Sequence, residues 1–150
     1  MIYLLLGTDM GDRRANLGRA RELLGKELGV SLHCSPELET AAIGFEGPDF
    51  LNQIVAFDGI FEPYDLLRRC QAIEVAMGRK PHKAEYDAAG RRIYSPRIID
   101  IDILHLNGVC MDAPDLTIPH PLIAQRDFVK KPLLEISKPK VREAFPELFA

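Results

Sequence analysis

The sequence predicts an α+β fold in which helices pack on one face of an antiparallel sheet. Three observations lead to this prediction. The chain has 150 residues, of which 47% are hydrophobic and 27% charged, as expected for one domain with one core. Short apolar runs typical of strands alternate with stretches of helical periodicity. Their order is strand, helix, strand, strand, helix, loop, strand, which is the ferredoxin-like βαββαβ arrangement.

The first strand and helix follow from the N-terminal pattern. Ile2 to Leu6 is an apolar run that predicts a buried strand, with Gly7 to Gly11 as the turn after it. Leucine and alanine then recur at helical spacing, which predicts a helix from Asp12 to Leu28 that ends at Gly29.

The middle of the chain predicts two more strands and a second helix. The strands are expected at Val30–Glu39 and Phe50–Ile60. Pro63 begins the helix at its preferred first position, and Gly78 ends it. From the helix pattern alone, Glu74 lies near the edge of the apolar face, where a solvated side chain is expected.

The last third predicts one further strand and an extension. Ile98–Leu106 is rich in isoleucine and predicts a strand. Residues 107–150 contain six prolines, which favours short strands and helices around the sheet rather than a second core. We therefore expect residues 1–150 to form a single domain with a C-terminal extension.

The composition excludes several classes of function. The net charge of −3 gives the whole chain no electrostatic reason to bind nucleic acid or anionic lipid. No apolar run approaches the ~20 residues needed to cross a bilayer, and the N-terminus lacks the layout of a secretory signal. Three widely spaced cysteines argue against a disulfide framework and a cysteine-based zinc site. We expect a cytoplasmic protein.

One segment departs from the average charge. Between Arg79 and Arg97 there are six Lys or Arg and two acidic residues, a net charge of +4, so the remaining residues carry −7. Prolines, a glycine and the lack of apolar periodicity predict a long loop, and such loops are often functional. The loop is either a solvated charged segment or a basic lid that closes on a polyanion such as a nucleoside triphosphate.

Acidic residues alternate with isoleucine in the strand that follows. Side chains alternate along a strand, so Ile99, Ile101 and Ile103 are expected on one face and Asp100 and Asp102 on the other. The two carboxylates are then ~7 Å apart, and they require a cationic partner on so apolar a strand.

Two partners fit this pair of carboxylates. Arg97 is close enough in sequence to form a structural Arg–Asp network. Alternatively, Mg²⁺ is commonly held by one or two carboxylates together with substrate phosphates, which Arg97 would also reach. No GxxxxGK[ST] or GxGxxG motif occurs, so side chains would bind the phosphates. With the basic loop, the strand predicts a metal–nucleotide site for phosphoryl transfer.

These residues resemble a known family, the 6-hydroxymethyl-7,8-dihydropterin pyrophosphokinases of folate biosynthesis. The family signature Pro-Arg-x-x-Asp-x-Asp is PRIIDID here, at Pro96–Asp102. The resemblance covers essentially the whole chain through four further stretches: LLLGTDMGDR, ETAAIGFEGPDFLNQIV, QAIEVAMGR and LTIPHPLIAQRDFVKKPL.

The resemblance implies a reaction and a set of site residues. The terminal diphosphate of ATP is transferred to the hydroxymethyl group of the pterin, and AMP is released. Asp100 and Asp102 would bind two Mg²⁺ ions and, with Arg79 and Arg97, form the catalytic group. The residues expected around ATP are Gln71, Glu74, Arg79, Lys83, Arg97, Ile103, Thr117 and His120. Those expected around the pterin are Thr40, Ala41, Ile43, Phe50, Asn52, Arg126 and Phe128. A monomer is expected.

The chemistry of the residue types supports the pterin pocket. A flat pterin requires aromatic rings against its faces and paired donors and acceptors along its edge, which Phe50, Phe128 and Asn52 supply. Taken singly, Phe50 is also typical of a core residue. His120, between two prolines, is equally typical of a structural histidine.

Two other functions fit parts of the pattern. Paired aspartates on a ferredoxin-like sheet also serve two-metal nucleotidyltransferases, which release pyrophosphate instead of AMP. An RNA-binding module on the same topology would show aromatic residues on its strands and a basic face. The Ile98–Leu106 strand has neither.

Overall fold

The computed structural model describes residues 1–40, 50–78, 88–89 and 98–120. In chain order, the elements are β1 (Ile2–Thr8), α1 (Arg13–Leu28), β2 (His33–Cys34), β3 (Leu38–Thr40), β4 (Phe50–Phe57), α2 (Pro63–Ala76), β5 (Asp100–Leu106), β6 (Met111–Ala113) and β7 (Leu116–Ile118). Most of the basic segment and all of the chain after His120 lie outside the described residues.

The sheet has the predicted ferredoxin-like order. Its strands run β2, β4, β1, β5, with β3 also paired to β4, and each pair is antiparallel. Strands β6 and β7 form a separate antiparallel pair. Helix α1 connects β1 to β2, and α2 connects β4 to β5. The prediction of an α+β fold from the order of elements is confirmed.

The prediction of one strand over Val30–Glu39 is wrong, because two short strands occupy that stretch. Pro36 lies between them and has no backbone N–H to donate to β4. The preceding Ser35 maintains the contact with Ile54. The Ser35 N–H donates to the Ile54 carbonyl at 2.9 Å, and the Ile54 N–H donates to Ser35 Oγ at 2.9 Å.

Three strand boundaries also differ from prediction. β1 continues through Gly7 and Thr8, which the sequence predicted as a turn, because both residues pair with β4. β4 ends at Phe57 rather than Ile60, and β5 begins at Asp100 rather than Ile98.

The helix boundaries follow from their caps. Asp12 is the N-cap of α1 rather than its first residue, and its carboxylate accepts from the Ala15 N–H at 3.1 Å. Gly29 ends α1 in the left-handed conformation, with φ of 65°. Glu62 caps α2 by accepting from the N–H groups of Tyr64 and Asp65.

The sheet has two faces that differ in what they carry, because residues paired across antiparallel strands share a face. The helix face packs against α1 and α2 and carries Ile2, Leu4, Leu6, Leu51, Val55, Phe57, Ile101, Ile103 and Leu106. The opposite face, here called the aspartate face, carries Tyr3, Leu5, Gly7, Asn52, Ile54, Ala56, Asp100, Asp102 and His105.

A β-bulge in β5 adjusts these faces. Tyr3 pairs with His105 but the next residue, Leu4, pairs with Ile103, so Leu104 is an extra residue in β5. The extra residue allows Ile103 and Leu106, three positions apart, both to join the helix face.

The cysteines and helices agree with the composition. All three cysteines are free, with Cys34 and Cys110 exposed and Cys70 buried. In the described ranges, neither helix combines the length and the hydropathy that a membrane-spanning segment requires.

Candidate active site

Asp100 and Asp102 lie on the aspartate face of β5. Both side chains are partly exposed, whereas Ile101 and Ile103 between and beyond them are 5% and 4% exposed. The predicted alternation along this strand is confirmed. The spacing of alternate strand residues separates the two aspartates by ~7 Å.

Gly7 separates Asp100 from Asn52. These three residues form one row across the sheet, since Gly7 pairs with Asn52 in β4 and with Asp100 in β5. A Cβ atom on Gly7 would lie 3.2 Å from Asn52 Oδ1 and 3.7 Å from Phe50 Cδ1. Because neighbouring strands are ~4.8 Å apart, the backbones of Asn52 and Asp100 are about 10 Å apart, and Gly7 between them has no side chain. The row therefore has a gap without a side chain between an amide and a carboxylate, and Asn52 Oδ1 reaches into this gap from one side.

Phe50 and Asn52 border this space on the β4 side. Phe50 is partly buried and Asn52 is 6% exposed, and both lie next to Gly7. Asn52 Nδ2 donates to the Leu38 carbonyl of β3 at 3.4 Å. Thr40 pairs with Phe50 in register, which brings the end of β3 to the same place. An aromatic ring and an amide thus adjoin the space, as recognition of a flat polar ring requires.

Glu74 contacts the edge of β5 that faces away from β1. Its Oε2 accepts from the Ile101 N–H at 3.0 Å, and the residue is only 5% exposed. The expectation from the helix pattern that Glu74 is solvated is wrong, because α2 turns this carboxylate towards β5 instead of towards water.

His120 contacts the same edge of β5 further along. Its backbone N–H donates to the Leu104 carbonyl at 2.9 Å, and its side chain is partly exposed. Ile103 lies between these two contacts, but its side chain is buried on the helix face. A contact between Ile103 and ATP would therefore have to involve the backbone.

The β6–β7 hairpin is attached to α2 beside this edge. Tyr64 Oη donates to Asp115 Oδ1 at 3.0 Å, and this hydrogen bond is the main cause that raises the pKa of Tyr64. Thr117 is partly buried between Leu116 and Ile118, which join the core, and its Oγ1 donates to the Ala113 carbonyl at 3.4 Å. Gln71 is exposed on α2.

Negative charge accumulates where α2 meets β5. Burial raises the pKa of the Cys70 thiol to about 12, and the nearby charges of Glu74 and Asp102 contribute in the same direction. A thiolate is disfavoured there because the surroundings are apolar and already negative.

The donor set at the aspartates fits magnesium. In the described ranges, no group of three or more His, Cys, Asp or Glu side chains is gathered in a position to hold a metal. A closed zinc cage is therefore not formed by these residues. Mg²⁺ requires only one or two protein carboxylates, with substrate phosphates and water completing its shell, and the partly exposed pair Asp100 and Asp102 meets that requirement.

Several predicted site residues lie outside the described part of the chain. The described residues do not include Arg79, Lys83, Arg97, Ala41, Ile43, Arg126 and Phe128, nor the side chain of Thr40. Their roles stay predictions. The described ATP candidates Gln71, Glu74, Ile103, Thr117 and His120 come from α2, β5 and the end of β7.

Gly7 is the site residue that the sequence did not single out. It follows the apolar run Ile2–Leu6 and precedes a Gly-containing stretch, which is why it was predicted as part of a turn. Its position between Asn52 and Asp100 depends on the register of three strands. Sequence spacing alone carries no signal of that register.

Comparisons with known proteins identify the family to which this chain is similar. Residues 3–138 match the family described as 7,8-dihydro-6-hydroxymethylpterin-pyrophosphokinase (HPPK). A 2-amino-4-hydroxy-6-hydroxymethyldihydropteridine pyrophosphokinase of Porphyromonas gingivalis is 40% identical over 91% of this chain and 90% of its own length. One of the same name from Methylorubrum extorquens is 36% identical over 97% of this chain and 92% of its own length.

This chain also matches a part of a longer relative. The folic acid synthesis protein fol1 of Schizosaccharomyces pombe is 34% identical over 90% of this chain and 18% of its own length. Because the family match and the first two relatives span nearly the whole sequence, the chain belongs to the HPPK family.

Proposed function

We propose that this chain transfers the terminal diphosphate of ATP to the hydroxymethyl group of 6-hydroxymethyl-7,8-dihydropterin, a step of folate biosynthesis. Its membership of the HPPK family makes it an ATP-dependent pyrophosphokinase. The observation that carries the residue-level proposal is the row Asn52, Gly7, Asp100. Groups suited to a pterin lie at one end of it, carboxylates suited to a metal-bound triphosphate at the other, and space between them.

The pterin would bind on the β4 side of the row. Phe50 would contact a face of the ring, and the Asn52 amide would pair with donors and acceptors on its edge. A Cβ atom at Gly7 would lie 3.2 Å from Asn52 Oδ1, and this supports the placement of the pterin, because a side chain at Gly7 would crowd the Asn52 amide. The pocket is proposed to be completed by Thr40, Ala41, Ile43, Arg126 and Phe128.

ATP would bind along the outer edge of β5, between α2 and the end of β7. Two hydrogen bonds fix the position of the chain on this side: the His120 N–H donates to the Leu104 carbonyl, and Tyr64 Oη donates to Asp115 of the β6–β7 hairpin. These contacts support a binding surface of fixed shape along this edge. The proposed contacts are those of Gln71, Thr117, His120 and the backbone of Ile103. Arg79, Lys83 and Arg97 would bind the phosphates from the basic segment.

Asp100 and Asp102 would hold Mg²⁺, with two ions expected from the family resemblance. When bound, Mg²⁺ supplies charge neutralisation and orientation of the triphosphate. The partial exposure of both carboxylates supports this role, since the remaining ligands must come from phosphates and water.

The residues of the chain then promote an in-line displacement at the β-phosphorus. The pterin hydroxyl oxygen forms the new O–P bond while the bond to the oxygen of the AMP phosphate breaks. Phe50 and Asn52 hold the acceptor so that attack becomes effectively unimolecular. Arg79 and Arg97 stabilise the charge that develops on the diphosphate and on departing AMP. Asp100, in the row with Gly7, is the proposed acceptor of the hydroxyl proton.

Product analysis tests this function. The chain is incubated with ATP, Mg²⁺ and 6-hydroxymethyl-7,8-dihydropterin, and the products are separated by chromatography. AMP and the pterin diphosphate are expected in equal amounts. Release of pyrophosphate would indicate the nucleotidyltransferase, which the relatives' names do not favour. Folded protein that yields no AMP would contradict the proposal.

We further propose that residues 1–150 act as one pyrophosphokinase domain, as a monomer, in the cytoplasm. The free cysteines suit a reducing compartment. All residues assigned above to both substrates come from one chain, so a second copy is not needed. Sedimentation at the concentration of the activity assay checks the monomer.

A further inference from the structure

We infer that Glu74 is a positioning residue for the aspartate pair, acting through the backbone of β5 rather than by contact with ATP. The inference rests on the proposed function, since it gives Asp100 and Asp102 their role. It changes the role that the family resemblance implies for Glu74, which is one of contact with the nucleotide.

The hydrogen bond of Glu74 reaches β5 between the two aspartates. Glu74 Oε2 accepts from the N–H of Ile101, the residue between the two aspartates. In the described part of the chain, β5 pairs with β1 on one side and has no strand on the other. The Ile101 N–H points to that outer side. The Glu74 carboxylate therefore accepts the hydrogen bond that a further strand would otherwise accept, at the residue between Asp100 and Asp102.

Glu74 is also buried. Glu74 is 5% exposed and lies one turn after the fully buried Cys70 on α2. A carboxylate in such a place is costly unless it is hydrogen-bonded, and a bond from a backbone N–H to a charged acceptor is among the stronger ones. The Ile101 N–H therefore fixes where Glu74 lies, and Glu74 fixes the Ile101 peptide. A side chain held this way is poorly placed to bind a nucleotide that exchanges with solvent.

Hydrogen bonds hold β5 on both sides of Asp102. Glu74 holds it at Ile101, and the His120 N–H holds it at the Leu104 carbonyl at 2.9 Å. Loss of the first contact would leave the Ile101 peptide free to rotate. That rotation would move Asp100 and Asp102 relative to each other. Groups that orient metal ligands typically affect metal affinity 10- to 100-fold, that is by about one to two orders of magnitude.

The test uses variants that separate the effects of the length of the Glu74 side chain, its charge and the packing of α2. Glu74→Asp keeps the charge but is one methylene shorter, and Glu74→Leu removes the acceptor. Glu74→Gln retains a carbonyl oxygen at the same reach. Cys70→Ala is the matched control, since it removes a buried sulfur from the same face of α2 and keeps the hydrogen bond between Glu74 and the Ile101 N–H.

Three measurements are made on each variant. Hydrogen exchange of the Ile101 amide is followed by NMR in the substrate-free protein. Mn²⁺ is titrated with the α,β-methylene analogue of ATP present and detected by electron paramagnetic resonance. AMP binding is measured by calorimetry without metal.

The expected pattern is specific to positioning. In Glu74→Leu and Glu74→Asp, the Ile101 amide exchanges at least ~10-fold faster and the Mn²⁺ dissociation constant rises about 10-fold, while AMP binding stays within about twofold. Glu74→Gln recovers most of both losses, and Cys70→Ala shows neither. If Glu74→Leu does not fold, Glu74→Asp and Glu74→Gln still give opposite results.

Other outcomes overturn the inference. A loss of AMP affinity in all Glu74 variants with unchanged Mn²⁺ binding would make Glu74 a nucleotide ligand. Unchanged Mn²⁺ binding and amide exchange in Glu74→Asp and Glu74→Leu would leave it without this role. These results are distinct from failure of the proposed function, in which the wild-type chain makes no AMP while the exchange of the Ile101 amide still reports on the contact.

Discussion

The helix face and the aspartate face are built from the same three strands but meet different requirements. On the helix face, alternate residues of β1, β4 and β5 are almost all apolar and buried. Thr8 and Gln53 are its polar exceptions, and both are paired internally. Thr8 Oγ1 accepts from Asn16 Nδ2 at 3.2 Å, and Gln53 accepts from Arg21 at 2.6 Å and donates to the Ser35 carbonyl at 2.7 Å. On the aspartate face, the residues at the Gly7 end are an amide, a glycine and two partly exposed carboxylates.

Under the proposed function, this difference means that stability is given up for binding on the aspartate face. A fully buried Leu or Ile contributes about 1.5–3 kcal/mol to stability, and the helix face uses nearly every position in this way. The aspartate face places Asp100 and Asp102 in the same strand, where apolar residues would stabilise the sheet more. We therefore expect changes on the aspartate face to alter activity, and changes on the helix face to alter the free energy of unfolding.

The largest expected effect is that of Asp102→Ala. If Asp102 anchors metal and triphosphate, turnover falls by at least ~10²-fold, comparable to loss of one preorganised electrostatic contact. The free energy of unfolding should change far less than turnover, because Asp102 is partly exposed and lies outside the hydrophobic core. Steady-state kinetics at saturating Mg²⁺ and urea unfolding measure the two quantities.

The neighbouring residue provides the control for this comparison. Ile101→Val removes one methyl group from the helix face and keeps the backbone N–H that Glu74 accepts from. It should cost about 0.5–1.5 kcal/mol of stability and leave turnover within about twofold. Near-normal turnover of Asp102→Ala, or a large loss in Ile101→Val, would contradict the division of roles between the two faces.

The next effect is a pH dependence that belongs to the helix face. Burial holds the pKa of Cys70 at about 12, against 9.0 for an ordinary thiol, so the neutral thiol is favoured in the folded state. This stabilisation is complete below pH 9 and is lost as the pH rises towards 12. Between these values the free energy of unfolding falls by about 1.4 kcal/mol per pH unit on account of Cys70.

Comparison with Cys70→Ala isolates this contribution from other groups. Urea unfolding of both proteins at pH 8, 9, 10 and 11 should show a steeper decline in the wild type above pH 9. The variant is less stable at pH 8, because it leaves a cavity, and the difference narrows at high pH. Parallel curves would show that Cys70 is not buried as described.

A smaller effect is expected on the aspartate face from Gly7→Ala. The added Cβ would lie 3.2 Å from Asn52 Oδ1, tighter than most such contacts, and would occupy the space between Asn52 and Asp100. The KM for the pterin should rise about 10-fold, equivalent to about 1.4 kcal/mol, with little change in the KM for ATP. Equal changes in both constants would place the pterin elsewhere.

The sequence predicted those features that depend on local pattern. The apolar periods of β1, α1 and α2 specified the fold, and the alternation Ile–Asp–Ile–Asp specified which side of β5 carries the carboxylates. Features that depend on tertiary packing were missed. Gly7 joins the site because of strand register, and Glu74 is buried because α2 crosses β5 at Ile101. Pro36 divides a predicted strand because an edge strand tolerates the lost N–H.

The smallest expected effect comes from Gly18→Ala in α1, on the helix side of the molecule. Gly18 lies within the helix, and an added Cβ would meet only Arg21 Nη2 at 3.5 Å, an ordinary contact. Alanine restricts the unfolded chain and favours the helix, so stability should rise by about 0.5–1 kcal/mol while both KM values stay unchanged. Gly7 and Gly18 thus receive the same methyl group with opposite consequences, because only Gly7 borders the space between two binding groups. A loss of stability in Gly18→Ala, measured by urea unfolding, would show that α1 packs more closely at this position than the distance to Arg21 indicates.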